Sequence, residues 1–230
     1  MDFYSSFPKI LVAVDSIIFG FNENEFDLKL LLLKRNFEPE KGKWSLMGGF
    51  VAPNESLDYS AQNIVSRLTG LDNVYMEQLF AFGDINRDAG GRIISVAYFS
   101  LLKINDHDSE LVKKHGASWI SLNELPELIF DHQQMVEKAL RKLRIRARTQ
   151  PIGFELLPKK FTIPQLQRLY EAIYQIPFDK RNFRRKLLAM GLLEKLDEKE
   201  KETSKKGAFY YQFNKPKYQE LLEKGFNFDL

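Results

Sequence analysis

Residues 48–71 read GGFVAPNESLDYSAQNIVSRLTGL, which is a glycine pair and a short loop followed by an amphipathic helix pattern. A loop and helix of this kind can hold Mg²⁺ against a diphosphate when two or three carboxylates share one helix face. Ile64 and Leu68 supply no oxygen ligands here, and Arg67 carries a positive charge that would repel a cation. This face of the helix therefore lacks the set of carboxylates that such metal chemistry needs.

A second segment that could do chemistry lies at residues 180–190, which read KRNFRRKLLAM. Phe183, Leu187 and Met190 recur at helical spacing and are expected to face a core. The open face carries five residues suited to DNA, which are Lys180, Arg181, Asn182, Arg184 and Arg185. Arginine pairs bidentately with guanine and asparagine with adenine, and the start of the second helix of a helix-turn-helix contacts base edges. The segment predicts a recognition helix, with a solvated basic surface as the alternative.

The residues after this helix predict a β-hairpin, in which residues 192–196 and 208–213 flank the polar insert 197–207. Lys205 and Lys206 stand at the tip of the insert, where lysines can contact the phosphate backbone without reading sequence. A solvated loop explains the same residues equally well. An earlier basic run is open in the same way, since it can touch phosphates or only solvate its helix. It comprises Arg141, Lys142, Arg144, Arg146 and Arg148.

Strand and helix patterns in the first part of the chain must position the glycine-pair segment. Strands are predicted at residues 9–19, 27–34, 74–82, 92–104 and 117–122. The helix after the glycine pair begins at Asn54 or Ser56 and ends at Gly70, and another helix begins near Asp131. Mixed strands with helices packed on their faces predict an α/β fold, an α/β/α sandwich.

Pro151 and Gly153 interrupt the helical pattern and predict a boundary between domains at residues 1–150 and 151–230. In the second domain, Thr162 is expected to cap an amphipathic helix and Asp179 to cap the basic one. Helix, turn, helix and hairpin is the order of a winged helix-turn-helix.

The charge of the chain is distributed unevenly. Residues 1–140 hold 13 Lys and Arg against 20 Asp and Glu, and residues 141–230 hold 21 against 11. A basic end on an acidic body suggests a polyanionic partner. The chain has no cysteine, which excludes disulfides, and it has no secretory or membrane-spanning pattern. We therefore expect a cytoplasmic protein.

The frame of residues 48–71 resembles the Nudix box, the signature of enzymes that cleave nucleoside diphosphates linked to another group. Gly49, Glu55 and Gly70 keep the spacing of the box. The positions that carry its arginine and glutamates are changed, to Asn63, Ile64, Arg67 and Leu68. The resemblance implies a Nudix-like fold with a degenerate box, with no catalytic residue and no metal site.

Three further segments, residues 82–101, 130–144 and 161–193, resemble the Nudix-related transcriptional regulators of bacteria. That family couples a Nudix-like sensor to a C-terminal winged helix-turn-helix. The resemblance implies a homodimeric DNA-binding regulator, usually a repressor, that a small effector releases. In one branch the effector is ADP-ribose and the pathway is NAD synthesis. In a Bacteroidetes-like branch the effector is a sugar such as arabinose.

The loss of the metal ligands favours a neutral pentose as the effector, because a diphosphate favours a metal or a cationic clamp. Carboxylates and aromatic faces that could hold a pentose are Asp15, Asp84, Asp88, Phe50 and Tyr98. Lys34 and Arg35 end a strand near the predicted pocket and could hold an anionic or a polyhydroxyl ligand, as Arg67 could.

The sequence thus predicts a repressor of sugar catabolism that binds operator DNA as a homodimer, needs no cofactor and is released by a pentose such as L-arabinose. The alternatives are a regulator of NAD metabolism that senses ADP-ribose, and a Nudix hydrolase that uses carboxylates outside the box. An RNA-binding module and a protein-interaction adaptor are weaker alternatives.

Overall fold

The computed structural model of the chain describes residues 3–4, 6–104, 106–201, 207–226 and 228. It divides into two compact units, Met1–Gly20 with Lys29–Ala139 and Phe21–Leu28 with Leu140–Leu230. Within the described ranges, no helix is long and apolar enough to span a membrane.

A sheet, with seven strands in the described part of the chain, lies mainly in the first unit. Its strands are β1 (Leu11–Asn22), β2 (Asp27–Lys34), β3 (Trp44–Ser45), β4 (Met47–Phe50), β5 (Glu77–Phe82), β6 (Ile93–Lys103) and β7 (Ala117–Ser121). The order is β3-β2-β1-β6-β5, and β4 pairs with β1 while β7 pairs with β2. The β1–β4 register places Asp15 opposite Gly48, which brings the glycine pair to a buried carboxylate.

The helices of this part of the chain are α1 (Leu57–Thr69), α2 (Asp106–Lys114) and α3 (His132–Thr149). Ser56 caps α1 because its hydroxyl accepts a hydrogen bond from the Tyr59 N–H. Gly70 ends α1 with φ of 76°, a left-handed conformation that glycine adopts without strain. Both ends of this helix confirm the sequence prediction.

Buried apolar side chains fix α1 against the sheet. Ile64 packs in one core cluster with Val14 of β1 and Tyr98 of β6. Val65 packs in another with residues from β1, β2, β4, α2 and β7, which are Ile18, Leu31, Met47, Val112 and Ala117. Each buried aliphatic side chain contributes about 1.5–3 kcal/mol to the fold. The buried face of α1 is therefore fixed against the sheet, next to the pocket.

The second unit contains β8 (Phe161–Thr162), α4 (Ile163–Tyr174), α5 (Lys180–Ala189), β9 (Leu193–Glu200), β10 (Ala208–Phe213) and α6 (Lys215–Glu223). Among the described residues the strands form a sheet in the order β8-β10-β9. Thr162 and Gln165 form a reciprocal capping box at α4, and Asp179 caps α5. These caps confirm the predicted helix starts.

Two helices were not expected from the sequence. The apolar pattern of α2 is short, and its Val112 is buried only because α2 packs beside α1 and β7. Helix α6 has only a short apolar pattern, at Tyr218, Leu221 and Leu222, and none of the residues described in it is buried; Asn214 caps it and Pro216 lies in its first turn. Strand β9 also extends to Glu200, beyond the predicted end at 196.

Candidate functional site

The glycine pair, β1, β2 and α1 enclose a cavity of about 550 Å³ in the first unit. Asp15 of β1 and Gly48 of β4 meet at its floor. A Cβ at Gly48 would lie 2.0 Å from the Asp15 Oδ1, so glycine is required there. The strand register therefore builds a buried carboxylate into the pocket.

Asp15 belongs to a buried polar network. The Ser95 hydroxyl donates to the Asp15 Oδ2 at 2.6 Å, and the Arg87 Nη2 lies 3.6 Å from the same oxygen. Arg87 also donates from Nε and Nη2 to the two carboxylate oxygens of Asp131, at 2.9 and 2.7 Å. Burial alone would lower the pKa of Arg87, but the hydrogen bond to Asp131 and the charge of Asp15 raise it above its usual value. Arg87 is therefore a permanent cation whose fork is occupied by protein carboxylates.

His132 closes the network at the start of α3. The Leu46 N–H donates to its Nδ1 at 3.2 Å, and its Nε2 lies 3.5 Å from the Asp15 Oδ1. An accepting Nδ1 assigns the proton of the neutral ring to Nε2, which faces Asp15. Burial lowers the pKa of His132, against the opposing effect of Asp15. Neutral His132 is a structural wall of the pocket.

The stability of the protein is expected to fall as the pH is lowered below about 6.5, the ordinary histidine pKa. Because folding lowers the pKa of His132, the unfolded state binds more protons in this range. The contribution is fully present above the unfolded pKa and is lost as the pH falls through the folded pKa. Urea unfolding at a series of pH values measures the slope. His132→Asn should flatten it, and a slope that this variant leaves unchanged would contradict the assignment to His132.

Helix α1 does not fit the Mg²⁺ that the resemblance to the Nudix box implies. Ile64 lies in the core, and its Cδ1 is 2.9 Å from where a Gly49 Cβ would lie. Arg67 lines the pocket with Leu68, which offers no oxygen. Glu55 accepts a hydrogen bond from the Ser60 hydroxyl at 2.6 Å. No group of three or more histidine, cysteine, aspartate or glutamate residues suited to a metal occurs among the residues that the structure describes.

The pocket instead carries an excess of positive charge. Its lining holds four cations, Lys34, Arg35, Arg67 and Arg87, and two carboxylates, Asp15 and Asp88, while Asp131 behind the lining pairs with Arg87. Both carboxylates are engaged, Asp15 in the buried network and Asp88 by the Gly90 N–H at 2.7 Å. A cavity with surplus cations favours an anionic ligand over a neutral one.

The structure brings most of the predicted effector residues together. Asp15, Lys34, Arg35, Phe50 and Asp88 line the cavity, and their role as ligand contacts stays a prediction.

Asp84 and Tyr98 lie outside the lining. The Asp84 carboxylate accepts a hydrogen bond from the Asn86 N–H at 2.8 Å and so stabilises the turn of its own loop. The Tyr98 side chain is buried in the core, and its hydroxyl donates to the Asp58 Oδ1 at 2.6 Å. Burial and this hydrogen bond raise the pKa of Tyr98. Neither side chain is placed to contact a ligand in this cavity, which corrects the sequence expectation for both.

Sequence reasoning missed Arg87 and its partner Asp131. Arg87 is only 7% exposed, although it lies in a polar segment between Asp84 and Asp88 that reads as a surface loop. The partners are 44 residues apart along the chain. The Arg-Asp pair in that segment was a signal for a site, but the sequence did not indicate which carboxylate the arginine contacts.

The candidate nucleic-acid interface is the exposed face of α5. Lys180, Arg181, Asn182, Arg184 and Arg185 are all exposed there, while Phe183 and Leu187 are buried. The Arg185 Nη2 donates to the Asn182 Oδ1 at 2.8 Å, and the Arg184 Nη2 lies 3.4 Å from the Tyr211 hydroxyl of β10. This arrangement matches the predicted division into a reading face and a core face, and the DNA role of the five residues stays a prediction.

The wing offers cations that the sequence analysis did not select. Lys195 and Lys199 of β9 place their Nζ atoms 3.6 and 4.4 Å from the centre of the Phe209 ring on β10. Both exposed lysines make a cation–π contact with this ring, which places them side by side on one hairpin. Lys205 and Lys206, which were predicted at the wing tip, lie outside the described residues.

Two family models match the chain. The NUDIX domain model matches residues 9–142, and the model of the NrtR DNA-binding winged helix domain matches residues 153–213. A Nudix domain followed by a winged helix domain is the class of protein that this fold defines, and it confirms the predicted fold.

Similar proteins narrow that class. The chain is 30% identical over 213 residues to the ADPR responsive transcriptional repressor NtrR of Acinetobacter baylyi, a match covering 91% of this chain and 84% of that protein. The crystal structure of Shewanella oneidensis NrtR complexed with a 27mer DNA is 29% identical with a TM-score of 0.69, covering 88% and 93%. The NUDIX domain of the same NrtR complexed with ADP ribose is 30% identical with a TM-score of 0.51, covering 60% and 91%. The chain belongs to the NrtR family of Nudix-related proteins.

The expectation of a sugar effector and of sugar catabolism is wrong. The repressor that matches along nearly the whole chain is ADP-ribose responsive, and the matching solved NUDIX domain holds ADP ribose. The surplus of cations in the pocket agrees with this correction, because a pentose carries no charge.

Proposed function

We propose that this protein is an ADP-ribose-responsive transcriptional repressor that binds operator DNA as a homodimer and controls genes of NAD metabolism. The observation that carries the proposal is the cationic cavity, which stands where a Nudix enzyme would hold its metal and substrate. The similarity to an ADP-ribose-responsive repressor along 91% of the chain supports the same function.

In this function α5 reads the major groove. Arg181 and Arg185 are exposed in its first turns, where arginine can pair with guanine. Lys195 and Lys199 on the wing are placed to neutralise phosphates, which adds affinity that weakens with salt. Two such units in a dimer would contact two half-sites.

ADP-ribose would act by a population shift. The effector binds better to a state of the dimer whose DNA affinity is lower, and DNA binds better to the other state. The effector can weaken DNA binding only by as much as its own affinities for the two states differ. The diphosphate matches the surplus cations of the pocket.

We infer that the protein does not hydrolyse its effector, because α1 presents Ile64, Arg67 and Leu68 at the positions where the carboxylates of a Nudix box would hold the metal. Incubation of the full-length protein with ADP-ribose and Mg²⁺ should release no AMP above a protein-free control. If the wild-type protein releases AMP and the Asp88→Asn variant does not, the protein is a hydrolase whose metal ligands lie outside the box.

Fluorescence anisotropy with DNA from upstream of the protein's own gene tests the proposal. We expect salt-dependent binding to this duplex and much weaker binding to a scrambled one. ADP-ribose should release the duplex, whereas L-arabinose and ribose should not. Specific binding that ADP-ribose leaves unchanged would contradict the effector, and the absence of specific binding would contradict the repressor itself.

A further inference from the structure

Arg67 is a guanidinium without a protein partner in a ligand pocket. It lines the cavity, and its Nη2 lies 3.9 Å from the position that a Cβ would take at Gly49. In the part of the chain that the structure describes, Arg67 makes no ion pair and no hydrogen bond through its side chain. Its planar set of donors therefore faces the cavity unused.

The other cations of the pocket are already engaged. Arg87 is held by Asp131 in a bidentate pair. Arg35 lies 3.8 Å above the Phe37 ring and donates from Nε to the Phe37 carbonyl at 3.1 Å. Lys34 places its Nζ 5.2 Å from the centre of the Trp44 ring. Among the described pocket residues, Arg67 is thus the guanidinium best able to form a new bidentate pair with an anion.

Arg67 stands at a position where the Nudix box has a glutamate, and this position indicates what the cation could bind. Ile64 and Arg67 are three residues apart on α1, so they share one helix face, and both reach Gly49. These are two of the positions where the Nudix box has glutamates. A glutamate there can hold a diphosphate only through a divalent cation that neutralises both partners. A guanidinium at the same position has the opposite charge and can bind phosphate oxygens directly.

We propose that Arg67 replaces the divalent metal ion and anchors the diphosphate of a nucleoside-diphosphate effector, so that the effector binds without metal. This inference rests on the proposed function. It adds two points that the proposed function does not require: Arg67 contacts the diphosphate, and binding needs no metal ion. Ile64 and Leu68 complete the replacement, because they fill the remaining ligand positions with core side chains.

Isothermal titration calorimetry of the full-length protein with ADP-ribose tests the metal independence. We expect the same Kd in EDTA and in Mg²⁺. Binding that requires Mg²⁺ would overturn the inference and leave the ADP-ribose effector standing. If the wild-type protein binds no ADP-ribose in either buffer, both the inference and the proposed effector fail.

Variants of Arg67 test the anchor. Arg67→Ala should weaken ADP-ribose binding by about 10- to 100-fold, the range for losing hydrogen bonds to a charged group. Arg67→Lys, which keeps the charge and loses the fork, should lie between Arg67→Ala and wild type. The matched control is Arg141→Ala, which removes an exposed helical arginine outside the pocket and should bind like wild type.

The fold of each variant is checked by the operator affinity without effector, which Arg67→Ala should retain. Arg67→Ala should then resist release by ADP-ribose at concentrations that release the wild type. An Arg67→Ala protein that binds ADP-ribose as tightly as the wild type would overturn the anchor.

Discussion

Arg87→Ala is expected to lower the free energy of unfolding by about 3–5 kcal/mol, the usual cost of breaking a buried ion pair from one side. The side chain of Arg87 is 3% exposed and that of Asp131 is 12% exposed. Removing the guanidinium leaves the carboxylates of Asp15 and Asp131 desolvated and close together, with no cation between them. Urea unfolding monitored by circular dichroism gives the difference in free energy.

Arg92→Ala is the matched control for this loss. Arg92 is exposed and donates to the carbonyls of Gly83 and Asp84, at 2.9 and 3.1 Å, in the same loop region. Its replacement should cost no more than about 1.5 kcal/mol. Equal losses for Arg87→Ala and Arg92→Ala would show that the buried network contributes nothing beyond the loop itself. Asp131→Asn in the Arg87→Ala background should recover part of the loss, because it removes one of the stranded charges.

The sequence was sufficient for features that neighbouring residues determine. Thr162 and Asp179 were predicted as caps, and Ser56 was one of two candidates, because a short polar side chain before an apolar helix pattern can satisfy a free N–H. The positive φ of Gly70 follows in the same way from the end of that pattern. Helix α2 was missed because its burial depends on packing against α1 and β7, which its own residues do not indicate.

The wrong choice of effector has a physical cause of the same kind. The sequence offered carboxylates and aromatic faces as pentose contacts, but two of these side chains have partners far along the chain. Asp15 is occupied by Ser95, which is 80 residues away, and Tyr98 is occupied by Asp58, which is 40 residues away. Asp15 is thus tied into the protein and Tyr98 lies outside the cavity, whereas Arg67 lines the cavity with its positive charge. The ligand class was therefore decided by tertiary pairing that the sequence pattern could not indicate.

Phe183→Ala is expected to abolish operator binding and to destabilise the winged helix unit by about 3–5 kcal/mol. Phe183 is 6% exposed, and its ring stacks on Phe178 and meets Tyr170 edge-on, both at 5.9 Å between centres. The cavity left by alanine would remove the contacts that fix α5, and the reading residues would lose their common orientation. Thermal unfolding and anisotropy with operator DNA measure the two effects.

Arg181→Ala on the same helix distinguishes the loss of one base contact from the loss of the orientation of α5. Arg181 is exposed, so its loss should leave the unfolding temperature unchanged and weaken operator binding by about 1–3 kcal/mol, with relaxed specificity at one position. Phe183→Ala should instead abolish binding to operator and scrambled DNA alike, because it changes the orientation of the whole helix rather than one contact. If Arg181→Ala leaves operator affinity unchanged and Arg185→Ala does the same, α5 is not the recognition helix. If Phe183→Ala retains full operator affinity, the aromatic core does not position it.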